Sequence, residues 1–324
     1  MRRRDLLSIL GGVALARPRP ARAGAPSKRP LIGACYLERN QAEMTAFVEG
    51  MRSRGYIEGR GFDIVYRFAD NDLARLPAIA DELAMLKPDV LVCQEPASAL
   101  AVAKVTKSVA IVGAILDDPE GFGLAASEAR PGGNITGVLS AIPGLTGKLV
   151  NIARDLIPNA VSLGVIVNPD NRADLLQEHD LVAPAKALDV KLVVADVRTA
   201  PDLDRAFTML KGASVSAVIV AKDALLRSEA RRIADLAVAA HMPIIAGGGQ
   251  WVDVGGLISY GVDTVESFRR AAYFVDRILK GTKPGDLPIE FPTKLEMVVN
   301  LKTAKILGLA IPEVLMLQAN RVID

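Results

Sequence analysis

Aromatic residues make up only 4% of the 324-residue chain, which has two cysteines, two histidines and one tryptophan. With so few rings, a core must be built from Val, Ile, Leu and Ala, which suits parallel sheets covered by helices. Cys35 and Cys93 fall at the ends of adjacent predicted strands and read as two buried free thiols. A disulfide is the alternative that an oxidising compartment allows. His179 lies mid-helix among charged neighbours, and His241 sits at a helix end before Met242-Pro243. Neither has a second His or Cys at ligand spacing, so no metal site is expected. The first predicted strand leads into Tyr36-Leu37-Glu38-Arg39 in place of G-x-G-x-x-G, so no dinucleotide cofactor is expected either. Gly144 to Lys148 has the wrong glycine spacing for a P-loop, with Leu149 where Ser or Thr is needed. No G-x-S-x-G supplies a nucleophile. The sequence offers no catalytic residue and no cofactor, and it reads as a non-enzyme.

The N-terminus is the one strongly basic stretch. Arg2-Arg3-Arg4 precedes an apolar run from Leu6 to Ala16, and Ala21-Arg22-Ala23 has the form of a cleavage site. Residues 1–23 are therefore expected to be a signal peptide, placing the protein in the periplasm. The apolar run is too short for a permanent span. Arg3-Arg4-Asp5-Leu6-Leu7 fits twin-arginine export, with an ordinary Sec signal as the alternative. The leader carries six arginines and one aspartate, so its loss turns a formal net charge of +2 into −3. Nothing basic remains to suggest a nucleic-acid partner.

Beyond the leader the pattern is strand, helix, strand, helix. Leu31 to Cys35, Phe62 to Phe68, Val90 to Cys93 and Val109 to Leu116 read as strands, with helices between them. A helix from Asn71 places Leu76, Ile79, Leu83 and Leu86 on one face. The stretch Val109 to Ser140 organises the chain. Its apolar run suits a strand buried on both faces, it stops at Asp117-Asp118-Pro119, and after Arg130-Pro131-Gly132-Gly133-Asn134 a short strand from Ile135 to Leu139 leads to a first crossing into a second lobe. The second half repeats the plan: a helix from Leu145 to Ile157, then strands Val161 to Val167, Lys191 to Val197, Ala217 to Val220 and Pro243 to Ala246. Gly255 to Gly261 marks a second crossing, and Pro284 to Pro292 a third. The expected architecture is α/β: two doubly wound parallel-sheet lobes joined by three hinge crossings, with residues 30–139 plus 262–285 in lobe 1 and 140–260 plus 286–324 in lobe 2.

Ligands in such folds lie past the carboxyl ends of the strands. The polar residues gathered there are Tyr36 and Glu38, then Gln94, Glu95 and Ser98, then Asp117 and Asp118. In the second lobe they are Asn168, Asp223, Gln250, Trp251 and Tyr260. Pro96 opens a helix whose free N–H groups can hold a carboxylate. Of the adjacent Asp117 and Asp118, one is expected to cap and one to face a ligand, whose natural counterpart is an ammonium. A cleft lined in this way fits a small polar molecule with an apolar part against Trp251 or Tyr260.

Several of these segments carry a resemblance, together with Gly55-Tyr56-Ile57-Glu58-Gly59, Arg130-Pro131-Gly132-Gly133-Asn134-Ile135-Thr136-Gly137, Val167-Asn168-Pro169, Gly255-Gly256-Leu257-Ile258-Ser259-Tyr260-Gly261 and Pro292-Thr293-Lys294. In that order the chain resembles the periplasmic substrate-binding proteins of ABC transporters related to the tryptophan/tyrosine-binding type. The resemblance implies a Venus-flytrap fold, a small-molecule ligand (an amino acid or another small polar organic) held between the lobes, delivery to a membrane permease, and no catalysis. It departs at Gln94-Glu95-Pro96, where relatives usually have small residues, and at the bulky first loop Tyr36 to Arg39. Both departures admit a more cationic or polar ligand than an aromatic amino acid. A ligand-sensing module for a receptor and a periplasmic α/β enzyme using Asp117 or Asp118 are the alternatives.

Overall fold

The computed structural model describes residues 29–140 and 142–324. The expected signal peptide, its twin-arginine motif and the cleavage point at Ala23 lie outside the described residues. Lobe 1 opens with β1 (Leu31–Tyr36), α1 (Gln41–Arg52), β2 (Asp63–Phe68), α2 (Leu76–Met85), β3 (Val90–Cys93), α3 (Pro96–Val105), β4 (Ala110–Leu116) and β5 (Ile135–Leu139). Its five strands run in the order β2-β1-β3-β4-β5, all parallel. Every residue of β3, β4 and β5 is buried, as continuous apolar runs covered on both faces require.

Lobe 2 follows with α4 (Lys148–Leu156), β6 (Ser162–Val167), α5 (Arg172–Ala187), β7 (Lys191–Asp196), α6 (Asp202–Gly212), β8 (Ala217–Val220), α7 (Ala224–Ser228), α8 (Ala230–Ala239), β9 (Ile244–Ala246), α9 (Gln250–Asp253) and β10 (Ile258–Val262). The chain then returns to lobe 1 for α10 (Thr264–Leu279) and ends in lobe 2 with β11 (Leu295–Asn300), α11 (Leu301–Leu307), α12 (Glu313–Gln318) and β12 (Arg321–Ile323). The second sheet has seven strands in the order β12-β11-β10-β9-β8-β6-β7. It is not purely parallel as expected, because β11 runs antiparallel to β10. A strand that returns from the other lobe enters the sheet from its far end. The terminal strand β12, only three residues long, carries no readable alternation in the sequence.

Each lobe has its own core. In lobe 1, α1 and α10 cover one face with Phe47, Phe268 and Phe274, and α2 and α3 cover the other with Leu83 and Val102. Cys35 and Cys93 are register neighbours on β1 and β3, buried and free, as the sequence reading expects. Burial pushes the Cys35 thiol up to about 12. Some boundaries move. Asn71 does not cap a helix; it takes a left-handed φ of 63°, and Asp72 caps instead through the Ala74 N–H at 2.9 Å. The helix expected from Leu145 begins at Lys148, after a turn at Gly144.

The first and third crossings lie side by side. Leu139 N donates to Glu290 O at 2.8 Å, and Glu290 N donates to Gly137 O at 3.0 Å. Leu287 and Ile289 still pack among lobe 1 side chains, so the third strand of the hinge leaves that lobe only after Glu290. The Asn134 to Gly137 segment fastens this joint. Asn134 Nδ2 donates to Val109 O at 2.7 Å and Thr136 Oγ1 to Leu287 O at 2.9 Å. Gly137, at φ 153°, passes so close to β4 that an added Cβ would stand 2.0 Å from Gly113 O. Gly137→Ala must push two paired backbones apart, an overpacking cost of about 1–3 kcal/mol. A drop of several degrees in the melting temperature is expected, and an unchanged melt would show that the strands can part freely there.

Candidate functional site

Between the lobes lies a cavity of about 290 Å³. That is near the lower end of small-molecule sites, which run from about 300 to 1,000 Å³. Lobe 1 contributes the first turns of α3 (Glu95, Pro96, Ala97, Leu100), the end of β4 (Ile115, Asp117) and Phe122. Lobe 2 contributes Asp170, Asn171 and Ala173 after β6, Lys222, Asp223, Ala224 and Arg227 after β8, and Gly247, Gly248, Gln250 and Trp251 after β9. Ser140, Val262 and Thr264 line it at the crossings. All the loops follow the carboxyl ends of strands, where parallel sheets leave their helix starts open.

Of the residues singled out in the sequence, Glu95, Asp117, Asp223, Gln250 and Trp251 meet in this cavity. The others stand behind or beside it. Tyr36 is fully buried in an aromatic cluster, its ring centroid 5.8 Å from Tyr66, 5.9 Å from Phe68 and 5.5 Å from Phe268. Gln94 braces the loop after β1: its Oε1 accepts from Leu37 N at 2.8 Å and Glu38 N at 3.1 Å, and its Nε2 donates to Glu43 at 2.7 Å. Ser98 accepts from Glu95 N at 3.1 Å, completing a capping box. Asn168 Nδ2 reaches Asp223 at 3.4 Å. Tyr260 packs partly buried against the lobe 2 core. Asp118 caps Gly121 N at 3.0 Å and meets Arg172 of the opposite lobe at 3.3 Å, whereas Asp117 lines the cavity and takes the Ser140 hydroxyl.

Two cations escaped the sequence reading. Lys222 directly precedes Asp223, and Arg227 lies one helical turn after it, on the same face of α7. That spacing from a capping aspartate was the available signal. Lys222 Nζ donates to Ser140 O at 3.0 Å, at the first crossing. Arg227 Nη2 donates to Glu38 at 2.6 Å, from lobe 2 to lobe 1, and its buried Nε has no partner among the described residues. Burial works against the Arg227 charge, but Glu38, Glu43 and Glu95 together hold its pKa above the ordinary value. Burial raises Glu43, Glu95 and Asp117, with Arg227 opposing it at the two glutamates and the Ser140 hydroxyl and Lys222 opposing it at Asp117. Lys222 is lowered by burial.

Asp174 lies just behind the wall, fully buried, accepting from Asn168 N at 2.8 Å and Asn171 Nδ2 at 3.1 Å. Burial, reinforced by Asp223 and Asp117, carries it from the ordinary 3.8 to about 8. An acid raised on folding stabilises the native state below its unfolded pKa and loses that contribution as pH rises through the folded one. The melting temperature is therefore expected to fall between about pH 4 and pH 8, and Asp174→Asn to flatten that fall. Parallel wild-type and variant profiles would refute the assignment.

Residues 39–323 match the family described as ABC transporter substrate binding protein. The chain belongs to that family. This substrate-binding protein is similar, at 27% identity over 263 residues, to the Tyrosine-binding protein of Clostridioides difficile (strain R20291), covering 81% of this chain and 75% of that one. Among solved structures it resembles a conserved domain protein from Vibrio cholerae O1 biovar El Tor, at 26% identity and a TM-score of 0.81, over 91% of this chain and all of the other. An ABC domain from Streptococcus pneumoniae in complex with L-Trp matches in fold, with a TM-score of 0.81 at 23% identity over 91% of this chain and 100% of that one. The two-lobed architecture expected from the sequence is the one these neighbours share. The family is one of substrate-binding proteins, and the Clostridioides difficile relative is named for binding tyrosine. Among the described residues, no helix is long and apolar enough to cross a membrane.

Proposed function

We propose that this substrate-binding protein is exported to the periplasm, closes its two lobes over one small polar organic molecule, and delivers it to the permease of an ABC transporter. The observation that carries the reading is the cavity of about 290 Å³ walled by both lobes. Contacts cross the cleft beside it, Arg227 to Glu38 at 2.6 Å and Arg172 to Asp118 at 3.3 Å. Such contacts exist only when the lobes are together, so a ligand that bridges the walls favours the closed arrangement by its differential affinity. No wall residue has to perform chemistry for this function.

Thermal shift and small-angle scattering against amino acids, amines, sugars, small carboxylates and purines test the reading. A ligand at about a hundred times its dissociation constant should stabilise the fold by roughly 2.7 kcal/mol. The radius of gyration should fall as the lobes close. Turnover of a bound compound, seen by mass spectrometry, would overturn the reading in favour of an enzyme.

A further inference from the structure

The start of α3 is where a ligand carboxylate would find free N–H groups. Here they are taken by the chain itself. Glu95 Oε1 accepts from Ser98 N at 2.9 Å and Oε2 from Ala97 N at 3.3 Å, and Glu95 is 4% exposed at the cavity wall. An incoming carboxylate at this end would meet a carboxylate. Most other charges on the wall have the same sign. Asp117 and Asp223 join Glu95, and Asp170 is answered by Arg198 at 3.5 Å. Arg227 gives Nη2 to Glu38, and its charge also acts on Glu43 and Glu95. Lys222, already bonded to Ser140 O, is the only other wall cation among the described residues, so two cations stand among four carboxylates, Glu38, Glu95, Asp117 and Asp223. Buried carboxylates in excess of their partners are costly unless a cation joins them, and burial does raise both Glu95 and Asp117. Leu100, Ile115, Phe122, Val262 and Trp251 supply the apolar part of the wall.

We propose that the ligand is a small organic amine without an α-carboxylate, its ammonium held among Glu95, Asp117 and Asp223 and its apolar body against Phe122 and Trp251. This class rests on the capture function proposed above. It makes specificity a matter of exclusion: the Glu95 carboxylate rejects the amino acid whose decarboxylated form the cavity accepts.

Titration calorimetry of the purified protein with tyramine, tryptamine and phenethylamine, each beside its parent amino acid, tests the proposal. At least one amine should bind about tenfold or more tighter than its parent, a gap of about 1.4 kcal/mol. Binding should release protons, measured by repeating the titration in buffers of different ionisation enthalpy, as the wall carboxylates ionise beside the ammonium. Asp117→Asn should weaken the amine about tenfold or more. Glu95→Gln, which keeps a capping oxygen, should narrow the gap between amine and amino acid. A parent amino acid that binds as tightly as its amine overturns the proposal. Closure on an amino acid, sugar or carboxylate with no amine bound overturns the amine class and leaves capture standing. Failure of every compound to bind or close the lobes overturns both.

Discussion

Replacing Arg227 with methionine is expected to weaken ligand binding by about a hundredfold while both lobes stay folded. Arg227 projects from α7 of lobe 2 to Glu38 of lobe 1 at 2.6 Å, with the two side chains 15% and 31% exposed. Glu43 and Glu95 stand near enough to act on the same charge. Removing one partner of a buried pair costs about 3–5 kcal/mol, because the other charge is left unanswered. Partial exposure of Glu38 brings the effect down to or below the lower end of that range, about 2–3 kcal/mol, or close to two decades of affinity. The pair forms only when the lobes meet, so the loss falls on closure and not on either core. Scattering of the ligand-saturated variant should give the wider, open particle. The double variant with Glu38→Gln should recover part of the affinity, since it removes the stranded carboxylate. Unchanged affinity and unchanged closure in Arg227→Met would show that the contact is incidental.

Trp251→Ala should be the most damaging single change in lobe 2. The indole is 1% exposed, belongs to that lobe's core and forms part of the cavity wall. Truncating a buried tryptophan costs about 3–5 kcal/mol, combining lost transfer energy with the cavity left behind. At roughly 2–4 °C per kcal/mol for a unit of this size, the melting temperature should fall by about 10 °C. Ligand-induced stabilisation should vanish as well, because the void enlarges the site on its apolar side. Trp251→Phe should restore most of the stability and part of the binding. An alanine variant that melts with the wild type would mean that the core repacks around the gap.

The frame of the molecule was legible in the sequence because parallel strands announce themselves. The buried runs at Val90 to Cys93 and Ala110 to Leu116 and the proline-bearing stops after them need only local pattern to be found. The antiparallel β11 and the three-residue β12 were not legible, since their direction and pairing depend on which lobe the chain returns to. The site divided along the same line. Asp117, Asp223 and Trp251 follow strand ends and reach the cavity, as position alone suggests. Tyr36 follows a strand end too, but its size and the neighbouring Tyr66, Phe68 and Phe268 draw it into the core. Gln94 turns inward because the loop after β1 has backbone N–H groups that need an acceptor. Arg227 was missed because its partner Glu38 lies 189 residues away in sequence, and only closure of the lobes brings them together.

The placement of the scarce residue types has an experimental consequence. Both cysteines are in the core of lobe 1 on adjacent strands, and the single tryptophan is in lobe 2. A thiol reagent reacts through the thiolate, which burial suppresses at Cys35 with a pKa of about 12 and raises out of reach at Cys93. Labelling therefore clocks the opening of lobe 1, while indole fluorescence follows lobe 2. With no residue introduced, the two signals recorded on one denatured sample reveal whether the halves come apart as one cooperative unit or in succession.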